Sequence, residues 1–284
     1  GAPTDMTLLF FPAPEFTAEG IPGVLAGKTL CLPSLTVGNI GQLTIDLYLS
    51  TLCEVGEVQF LGSFEHSAVL PIAGPSHIPP GHIATALELF LGPCNLLFLQ
   101  VRSGFVPSAS RVFASDLLAW AAQHSISSLL VLSSLDAVFC TGKQLESTRV
   151  RCLAGGSRST PLKVGKISAD NFLSFLGENG WPELEAELLE HFLLEGSFLH
   201  HLDQACQTHT IPALYLVLCC YEGMNVGDAI HMTDAVEHIL GLLGTHDQAC
   251  GSAAPHERVI GGLRFTCRWV PPLSWGQMMG DSVD

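Results

Sequence analysis

Charged residues are scarce in this sequence, and basic residues are the scarcest. Lysine and arginine number 12 among 284 residues, against 27 aspartates and glutamates, so the formal net charge is −15. A chain this acidic repels phosphate backbones, which argues against nucleic-acid binding. Hydrophobic residues make up 48% of the chain. Together with a mean hydropathy of +0.38, this content is compatible with a well-filled core or with an apolar surface that meets a partner.

Long hydrophobic runs are also missing. The longest, Leu96–Val101 and residues 211–221, fall short of the roughly 18 to 20 residues that a membrane span needs. The N-terminal region has Asp5 where a secretion signal has basic residues, and residues 10–12 are too short for its apolar part. We therefore expect no membrane association, and a location in the cytoplasm and nucleus.

Signatures of catalysis and metal binding are absent from the sequence. It contains no G-x-S-x-G, H-E-x-x-H or C-x-x-C. Lys28 and Thr29 follow Gly27 as in a phosphate-binding loop, but Gly23 is one residue too close and the segment precedes a strand. The ten cysteines show no motif spacing, and most lie in apolar stretches. We expect reduced core cysteines, no catalytic residue, no cofactor and no metal.

Strand and helix patterns alternate along the chain, which predicts a three-layer α/β/α sandwich with a mixed sheet. The predicted strands are residues 28–32, 55–61, 83–91, 96–102, 127–133 and 213–220, the third and fourth joined as a hairpin through Gly92. The predicted helices are residues 42–52, 108–124, 198–208 and 228–243, with a Glu-rich helix opening at Trp181. Residues 74–81 are predicted to be a loop. The predicted organisation is an extension at 1–27, one α/β domain at 28–245 with an irregular basic loop at 153–168, and a tail at 246–284.

Residues 37–41, with the sequence VGNIG, link the first predicted strand to the first helix. Amide groups at such a helix start can hold an anion, but the spacing is not G-x-G-x-x-G, and a tight turn that needs glycine is the favoured interpretation. The helix is apolar on most sides, so the sheet or a second chain should cover it. The turn and helix are therefore a candidate partner interface, with internal packing as the alternative, and its residues are Val37, Gly38, Asn39, Gly41, Gln42 and Tyr48.

A local basic cluster interrupts the acidic chain. Six of the twelve basic residues lie between Lys143 and Lys166, with Glu146 as the one acid among them. This pattern is suited to an acidic partner surface, and a solvated loop is the alternative. The candidate basic patch consists of Arg149, Arg151, Arg158, Lys163 and Lys166.

Residues 35–52, LTVGNIGQLTIDLYLSTL, resemble the V-G-N-x-G-Q-L segment of the proteasome assembly chaperone 2 family. The resemblance continues, in the order and spacing of that family, through LFLQVRS at 97–103, DLLAWA at 116–121, SSLLVLSS at 127–134, LESTRVR at 145–151 and YEGMNVGDAIHMTDAVEHIL at 221–240. It covers residues 28–275 and is weakest between 153 and 198. The segment before Lys28, the loop at 154–166 and the C-terminal end depart from the family pattern.

The resemblance implies a sandwich similar to nucleoside phosphorylases that is used for binding, without enzymatic activity. It implies pairing with proteasome assembly chaperone 1, scaffolding of the proteasome α-ring and hindrance of off-pathway ring dimerisation. Chaperones of this group can dock C-terminal tails that end in a hydrophobic residue, tyrosine and any residue. This sequence ends in DSVD, so the partner is the expected tail donor. The alternatives are a nucleoside- or phosphate-binding enzyme that uses residues 37–41, and an inert subunit of another complex.

Overall fold

The computed structural model of the protein describes residues 8–17, 19–78, 80–93, 95–156, 172–242, 256–260, 263–267, 269–272 and 275. The strands of this part are β1 (Leu9–Pro12), β2 (Thr29–Pro33), β3 (Gln59–Glu65), β4 (Ala73–His77), β5 (Pro80–Thr85), β6 (Leu87–Leu91), β7 (Leu96–Val101), β8 (Ser128–Asp136), β9 (Val150–Gly156), β10 (Pro212–Cys220), β11 (His256–Ile260) and β12 (Leu263–Cys267). The helices are α1 (Ile21–Leu25), α2 (Ile40–Glu54), α3 (Ser110–Gln123), α4 (Gly142–Glu146), α5 (Phe172–Glu178), α6 (Ala186–Phe192), α7 (Phe198–His209) and α8 (Val226–Leu242).

The main sheet has eight strands in the order β1-β3-β6-β7-β2-β8-β10-β9. Its centre is parallel, because β2 pairs in parallel with β7 and β8, and β8 pairs in parallel with β10. The other pairings are antiparallel, so the predicted mixed sheet is confirmed. Every residue of β10 is buried, as expected for a parallel strand that helices cover on both faces.

Each face of this sheet carries its own hydrophobic core. One core joins the sheet to α3 and α7, with Phe113 and Leu202 fully buried. The other joins it to α2 and α8, with Leu47 and Met232 fully buried. Because both faces of the sheet are covered by helices, the α/β sandwich predicted from the alternation of patterns is confirmed.

Several predicted boundaries are wrong, each for a local reason. The predicted strand 55–61 starts later, at Gln59, because α2 continues to Glu54 and Gly56 then turns the chain with φ +74°. The predicted loop at residues 74–81 and the start of the predicted strand 83–91 instead form the β4–β5 hairpin, a separate two-stranded sheet. The glycine and proline residues of this segment therefore belong to a separate hairpin, where a loop was predicted.

The Glu-rich helix does not open at Trp181. The Cys152 amide donates to the Pro182 carbonyl (2.9 Å), and the Leu184 amide donates to the Cys152 carbonyl (2.8 Å). These bonds hold the segment in extended form along the outer side of β9, and α6 begins only at Ala186. Pairing with an open sheet edge satisfies the backbone that an earlier helix start would have used.

The predicted separation of residues 1–27 from the domain is wrong for the part of that segment that the structure describes. Leu9–Pro12 pairs antiparallel with β3 as an edge strand of the main sheet. Ile21 and Leu25 of α1 are 2% and 0% exposed within the core that α3 and α7 share. The folded domain therefore begins before Lys28. In the predicted tail, β11 and β12 form a hairpin.

Helix α2 is covered on several sides by its own chain. Tyr48 stacks on Phe98 of β7 with ring centroids 5.5 Å apart, and its hydroxyl donates to the Thr233 carbonyl of α8 (3.4 Å). Trp269 lies edge-on to the Tyr48 ring at 5.0 Å, and the Val270 amide donates to Thr51 Oγ1 (2.9 Å). The apolar character of α2 is thus explained to a large extent by packing inside the chain.

Asp46 of α2 belongs to a largely buried charged network. Asp46 accepts from Gln100 Nε2 (2.7 Å) and from Arg102 Nη1 (2.8 Å). Arg102 also donates to Glu88 (3.3 Å), whose side chain is fully buried and contacts His82 (3.1 Å). Burial lowers the pKa of Arg102, but Asp46 and Glu88 outweigh that effect and raise it. Burial raises the pKa of Glu88 despite the opposing effect of Arg102.

The start of α2 lies against the backbone of β8 at Gly41. A Cβ atom on Gly41 would lie 2.4 Å from the Leu132 carbonyl oxygen and 2.9 Å from the Pro33 Cβ. Both contacts are far below van der Waals distance, and the Leu132 contact is with the backbone of a central strand. Only a residue without a side chain fits between α2 and the sheet here.

We expect Gly41→Ala to lower the free energy of unfolding by about 2 kcal/mol, because the methyl group forces α2 away from β8. The matched control is Gly227→Ala in α8, where nothing lies within 4 Å of the added atom. That control should be neutral or stabilising by up to about 1 kcal/mol, since alanine favours helix. Urea titration followed by circular dichroism measures both. Equal stability of the two variants would contradict the close approach.

We expect Arg102→Met to lower the free energy of unfolding by about 3 kcal/mol, because Asp46 and Glu88 then lack their buried counter-charge. The control Arg149→Met removes an ion pair whose arginine side chain is 36% exposed (2.7 Å to Asp228), and should cost no more than about 1 kcal/mol.

The cost of Arg102→Met should also depend on pH. The pKa of Glu88 is raised in the folded protein, so its contribution to stability is complete below the pKa of an unfolded glutamate and is lost as pH rises through the folded value. Removing Arg102 raises that folded pKa further. The loss of stability should therefore be larger at about pH 7.5 than at about pH 5. A pH-independent loss in thermal unfolding would argue against a buried Glu88 charge.

Candidate functional site

The candidate site lies at the carboxyl ends of the parallel strands. Strands β2, β8 and β10 end side by side there, with Asp136 of β8 opposite Cys220 of β10. The segment after β2 is the V-G-N turn at residues 37–39, which leads directly into α2. In open α/β sheets, ligands bind in the crevice outside this edge.

A cluster of hydroxyl groups fixes the turn to β8. Thr36 Oγ1 lies 2.8 Å from Ser134 Oγ and 3.2 Å from Ser34 Oγ. The Ser134 amide donates to Thr36 Oγ1 (3.1 Å), and Ser134 Oγ donates to the Val37 carbonyl. Because these hydroxyls bond to one another and to the backbone, they serve to close the turn. Most of their hydrogen-bonding capacity is therefore used within the chain, and Thr36 and Ser134 also line a small cavity.

Gly38 is held where a side chain has no room. Its φ is +69°, and a Cβ atom there would lie 2.3 Å from Asn225 Nδ2. Asn39 follows with φ +53°, and its side chain is exposed. The structure thus agrees with the interpretation of this segment as a tight turn that needs glycine. The turn packs against the start of α8.

The six residues of the candidate partner interface occupy different environments. Gly41 is buried and Tyr48 is 2% exposed, so both pack inside the chain. Val37, Gly38 and Gln42 are half-buried, and the Gln42 carbonyl accepts from Gln100 (3.0 Å). Asn39 is the member with an exposed side chain. The interface itself stays a prediction, and its exposed part is reduced to the turn.

Arg151 of the candidate basic patch is inside the protein. It is 1% exposed and donates to both carboxylate oxygens of Glu185 (3.1 Å each) and to the Gln144 carbonyl (3.2 Å). Arg149 pairs with Asp228. The charges of these two arginines are therefore matched within the chain. Arg158, Lys163 and Lys166 lie outside the described residues.

Exposed apolar side chains surround the turn at the same edge. Five of them, between 46% and 70% exposed, form what we call the carboxyl-edge patch: Val138, Phe139, Leu194, Tyr221 and Met224. Two members follow β8 directly and two follow β10, so the parallel register brings these loops together. Large apolar side chains clustered at one edge are typical of a surface that binds another protein.

Contacts join the carboxyl-edge patch to the turn. Phe139 stacks on His191 with ring centroids 4.1 Å apart. Leu194 and His191 line a cavity of about 160 Å³ together with Thr36 and Ser134. On the other side, Asn225 Nδ2 donates to the Gly223 carbonyl (3.0 Å) while it contacts Gly38. Asn39 therefore lies next to the loop that carries Tyr221 and Met224.

The sequence reading missed this patch, although a signal was present. Apolar residues stand directly after two strands, where polar residues that cap turns are usual. The expected core location of the cysteines is confirmed for most of those described: Cys31, Cys152, Cys206, Cys219 and Cys220 are buried, and Cys53 and Cys140 are half-buried.

Two negative findings apply to the described part of the chain. Its acidic, histidine and cysteine side chains do not gather in any group of three that could hold a metal ion. None of its helices combines the length and apolar character that crossing a membrane requires. Neither finding extends to the residues outside the described ranges.

Comparison with known proteins confirms the resemblance. No protein-family model matches the chain. Proteasome assembly chaperone 2 of Homo sapiens is 28% identical over 283 residues, covering 97% of this chain and 98% of the human protein. The Bos taurus protein of the same name is 27% identical over 267 residues, covering 91% of this chain and 94% of its own length.

Two solved structures with a similar fold are archaeal proteins. Pyrococcus furiosus PbaA, an archaeal homologue of proteasome-assembly chaperone, has a TM-score of 0.58 at 10% identity and covers 83% of this chain and 85% of its own. P. furiosus PbaB, an archaeal proteasome activator, has a TM-score of 0.52 at 10% identity, with 87% and 95% covered. At this identity the two structures establish the fold alone. By its sequence, the chain is a homologue of the proteasome assembly chaperone 2 proteins over nearly its whole length.

Proposed function

We propose that the protein is a non-catalytic proteasome assembly chaperone subunit. It pairs with proteasome assembly chaperone 1, and the heterodimer scaffolds formation of the proteasome α-ring and limits off-pathway dimerisation of rings, in the cytoplasm and nucleus. The observation that carries this proposal is the similarity, along nearly the entire chain, to proteins named proteasome assembly chaperone 2.

The surface we assign to the partner chaperone is the carboxyl-edge patch with Asn39. Permanent partners bury apolar surface that resembles a core cut in half, whereas transient contacts are more polar. The five patch residues are apolar, and Met224 and Val138 are 70% and 69% exposed. In isolation such a surface favours self-association, and a permanent partner removes it from water.

The absence of catalysis in this proposal rests on the chemistry of the turn. Its hydroxyls bond to one another and to backbone carbonyls, and Asn225 fills the space beside Gly38. A phosphate-binding or nucleophilic site needs donors or a nucleophile that face an open space. The large exposed side chains of the carboxyl-edge patch are instead mainly apolar.

Co-expression with proteasome assembly chaperone 1 and tagged α-ring subunits, followed by affinity purification and native mass spectrometry, tests the function. We expect a one-to-one chaperone pair that carries α subunits. A stable solitary monomer that ignores both would refute the proposal. Thermal-shift screening with nucleosides and phosphate at millimolar concentration tests the alternative enzyme, and saturable stabilisation would favour that enzyme.

Variants of the patch test the surface. We expect Val138→Asp combined with Met224→Glu to weaken the chaperone pair at least tenfold, because two charges would then be desolvated at the interface. The matched control is Ile83→Asp, an exposed apolar residue (64%) on the β4–β5 hairpin. Affinities from biolayer interferometry decide the matter. Loss of pairing in the control alone would move the interface to the hairpin, and unchanged pairing in both variants would contradict the assignment.

A further inference from the structure

Two cysteines far apart in the sequence meet beside the carboxyl-edge patch. Cys140 Sγ lies 2.9 Å from Cys219 Sγ, although the residues are 79 positions apart. Cys219 is fully buried in β10, next to the strand's last residue, and Cys140 is half-buried. Their sulfur atoms are therefore in direct contact, with one of the two side chains partly open to solvent.

The backbone holds both residues where they are. The Cys140 amide donates to the Ala137 carbonyl (3.0 Å), which closes the short helical turn after β8. Asp136 begins that turn by accepting from the Val138 amide (3.0 Å). The Cys219 amide donates to the Arg149 carbonyl (3.1 Å). Since each cysteine is fixed by its own backbone bond, their contact is a property of the fold and needs no rearrangement of a flexible loop.

Other described cysteines lack this arrangement. Cys220, the neighbour of Cys219, directs its thiol to the Val37 carbonyl (3.7 Å). Cys53, on α2, is half-buried like Cys140 but no described thiol contacts it. Among the described residues, the thiol contact is thus specific to Cys140 and Cys219.

We propose that Cys140 and Cys219 are a redox modification site that forms a reversible intramolecular disulfide. The oxidant we name is a small disulfide such as oxidised glutathione. This inference goes beyond the proposed function and does not depend on it, because it follows from the position of two thiols within one chain.

The reaction balances in two exchange steps. The Cys140 thiolate, having released its proton to water, attacks one sulfur of oxidised glutathione; a Cys140–glutathione bond forms and one glutathione thiolate leaves. The Cys219 thiol then releases its proton to water, and its thiolate attacks the Cys140 sulfur and expels the second glutathione thiolate; the two glutathione thiolates take up the two protons. The two protein thiols lose two electrons, and one oxidised glutathione becomes two reduced molecules.

The order of the steps follows from exposure. The half-buried Cys140 is the thiol that an oxidant in solution can reach. Burial, together with a smaller contribution from its contact with Cys140, raises the pKa of the Cys219 thiol to about 12. Cys219 is therefore rarely a thiolate and acts only as the resolving group, which should make the second step faster at higher pH.

The proposed bond would stiffen the edge that carries the patch. Cys140 ends the turn that holds Val138 and Phe139, and Cys219 lies two residues before Tyr221. A disulfide would tie this turn to β10. It would also close a long loop of chain, which constrains the unfolded state and stabilises the fold.

Treatment of the full chain with oxidised glutathione, rapid alkylation and peptide mass spectrometry without reduction tests the proposal. We expect a Cys140–Cys219 cross-link, a rise in Tm of roughly 5 to 10 °C, and reversal of both by dithiothreitol. A chain in which glutathione stays on Cys140, in which Cys140 links to Cys220, or in which neither cysteine reacts would overturn the proposal.

Cysteine-to-serine variants distinguish oxidation at this site from oxidation of other thiols. Cys140→Ser should abolish both the cross-link and the Tm shift, whereas the matched control Cys53→Ser should retain both. Cys219→Ser should leave glutathione trapped on Cys140. Since Cys219 is buried and its variant could fail to fold, the pair Cys140→Ser and Cys53→Ser decides the outcome by itself. A Tm shift that survives in Cys140→Ser would assign the stabilisation to another thiol and refute the site.

Discussion

The close approach between the start of α2 and the carboxyl half of β8 sets the form of the whole candidate edge. It depends on Gly41, whose missing side chain lets the Leu132 carbonyl lie at contact distance. With α2 this near, the V-G-N turn lies against β8, where Ser134 bonds to the Val37 carbonyl, and against the start of α8 at Asn225. The loops that follow β8 and β10 are then the parts of this edge that face solvent.

The scarcity of charge gives the buried network of α2 its particular role. Charged residues make up only 14% of the chain, and Glu88 is nevertheless fully buried, with Arg102 and Asp46 largely so. Buried ion pairs add little net stability over apolar packing, but a broken one is costly. The network therefore contributes more to the orientation of α2 relative to β6 and β7 than to the free energy of unfolding. Because some of the few charged residues are buried in this network, fewer remain for the surface. This agrees with the apolar side chains that are exposed at the sheet edge.

The sequence was most informative where one physical effect dominates. A short continuous apolar run such as β10 predicts a buried strand, because its length is that of a strand and both faces of a central parallel strand are covered. Prediction failed where tertiary pairing competes with local preference. Pro182 favours a helix start, yet its carbonyl bonds to β9. Leu9–Pro12 has no strand signal strong enough to stand without β3. The sequence around Arg151 predicts a surface charge, because its partner Glu185 lies 34 residues later in the chain.

The candidate site was predictable only in part for a related reason. The V-G-N-x-G-Q segment identifies the turn, because glycine at Gly38 and Gly41 reflects local crowding that sequence records directly. Burial of Tyr48 depends on Phe98 and Trp269, which no local pattern connects to it. The carboxyl-edge patch is assembled from loops that follow two strands far apart in the sequence. Their proximity depends on the β8–β10 register, which exists only in the folded sheet.

At this edge, several large apolar side chains face solvent, and the hydroxyl groups of the turn are hydrogen-bonded within the chain. In open α/β sheets, small ligands bind outside the carboxyl ends of the parallel strands, where backbone amides and polar side chains face a crevice. Here the hydroxyls of Thr36 and Ser134 bond to each other, so little polar capacity is left for a ligand. Val138, Phe139 and Met224 are among the groups that face solvent here, and their transfer from water to an apolar interface is favourable. Recognition at this edge therefore favours a large apolar surface, as another folded chain supplies, over a small polar molecule.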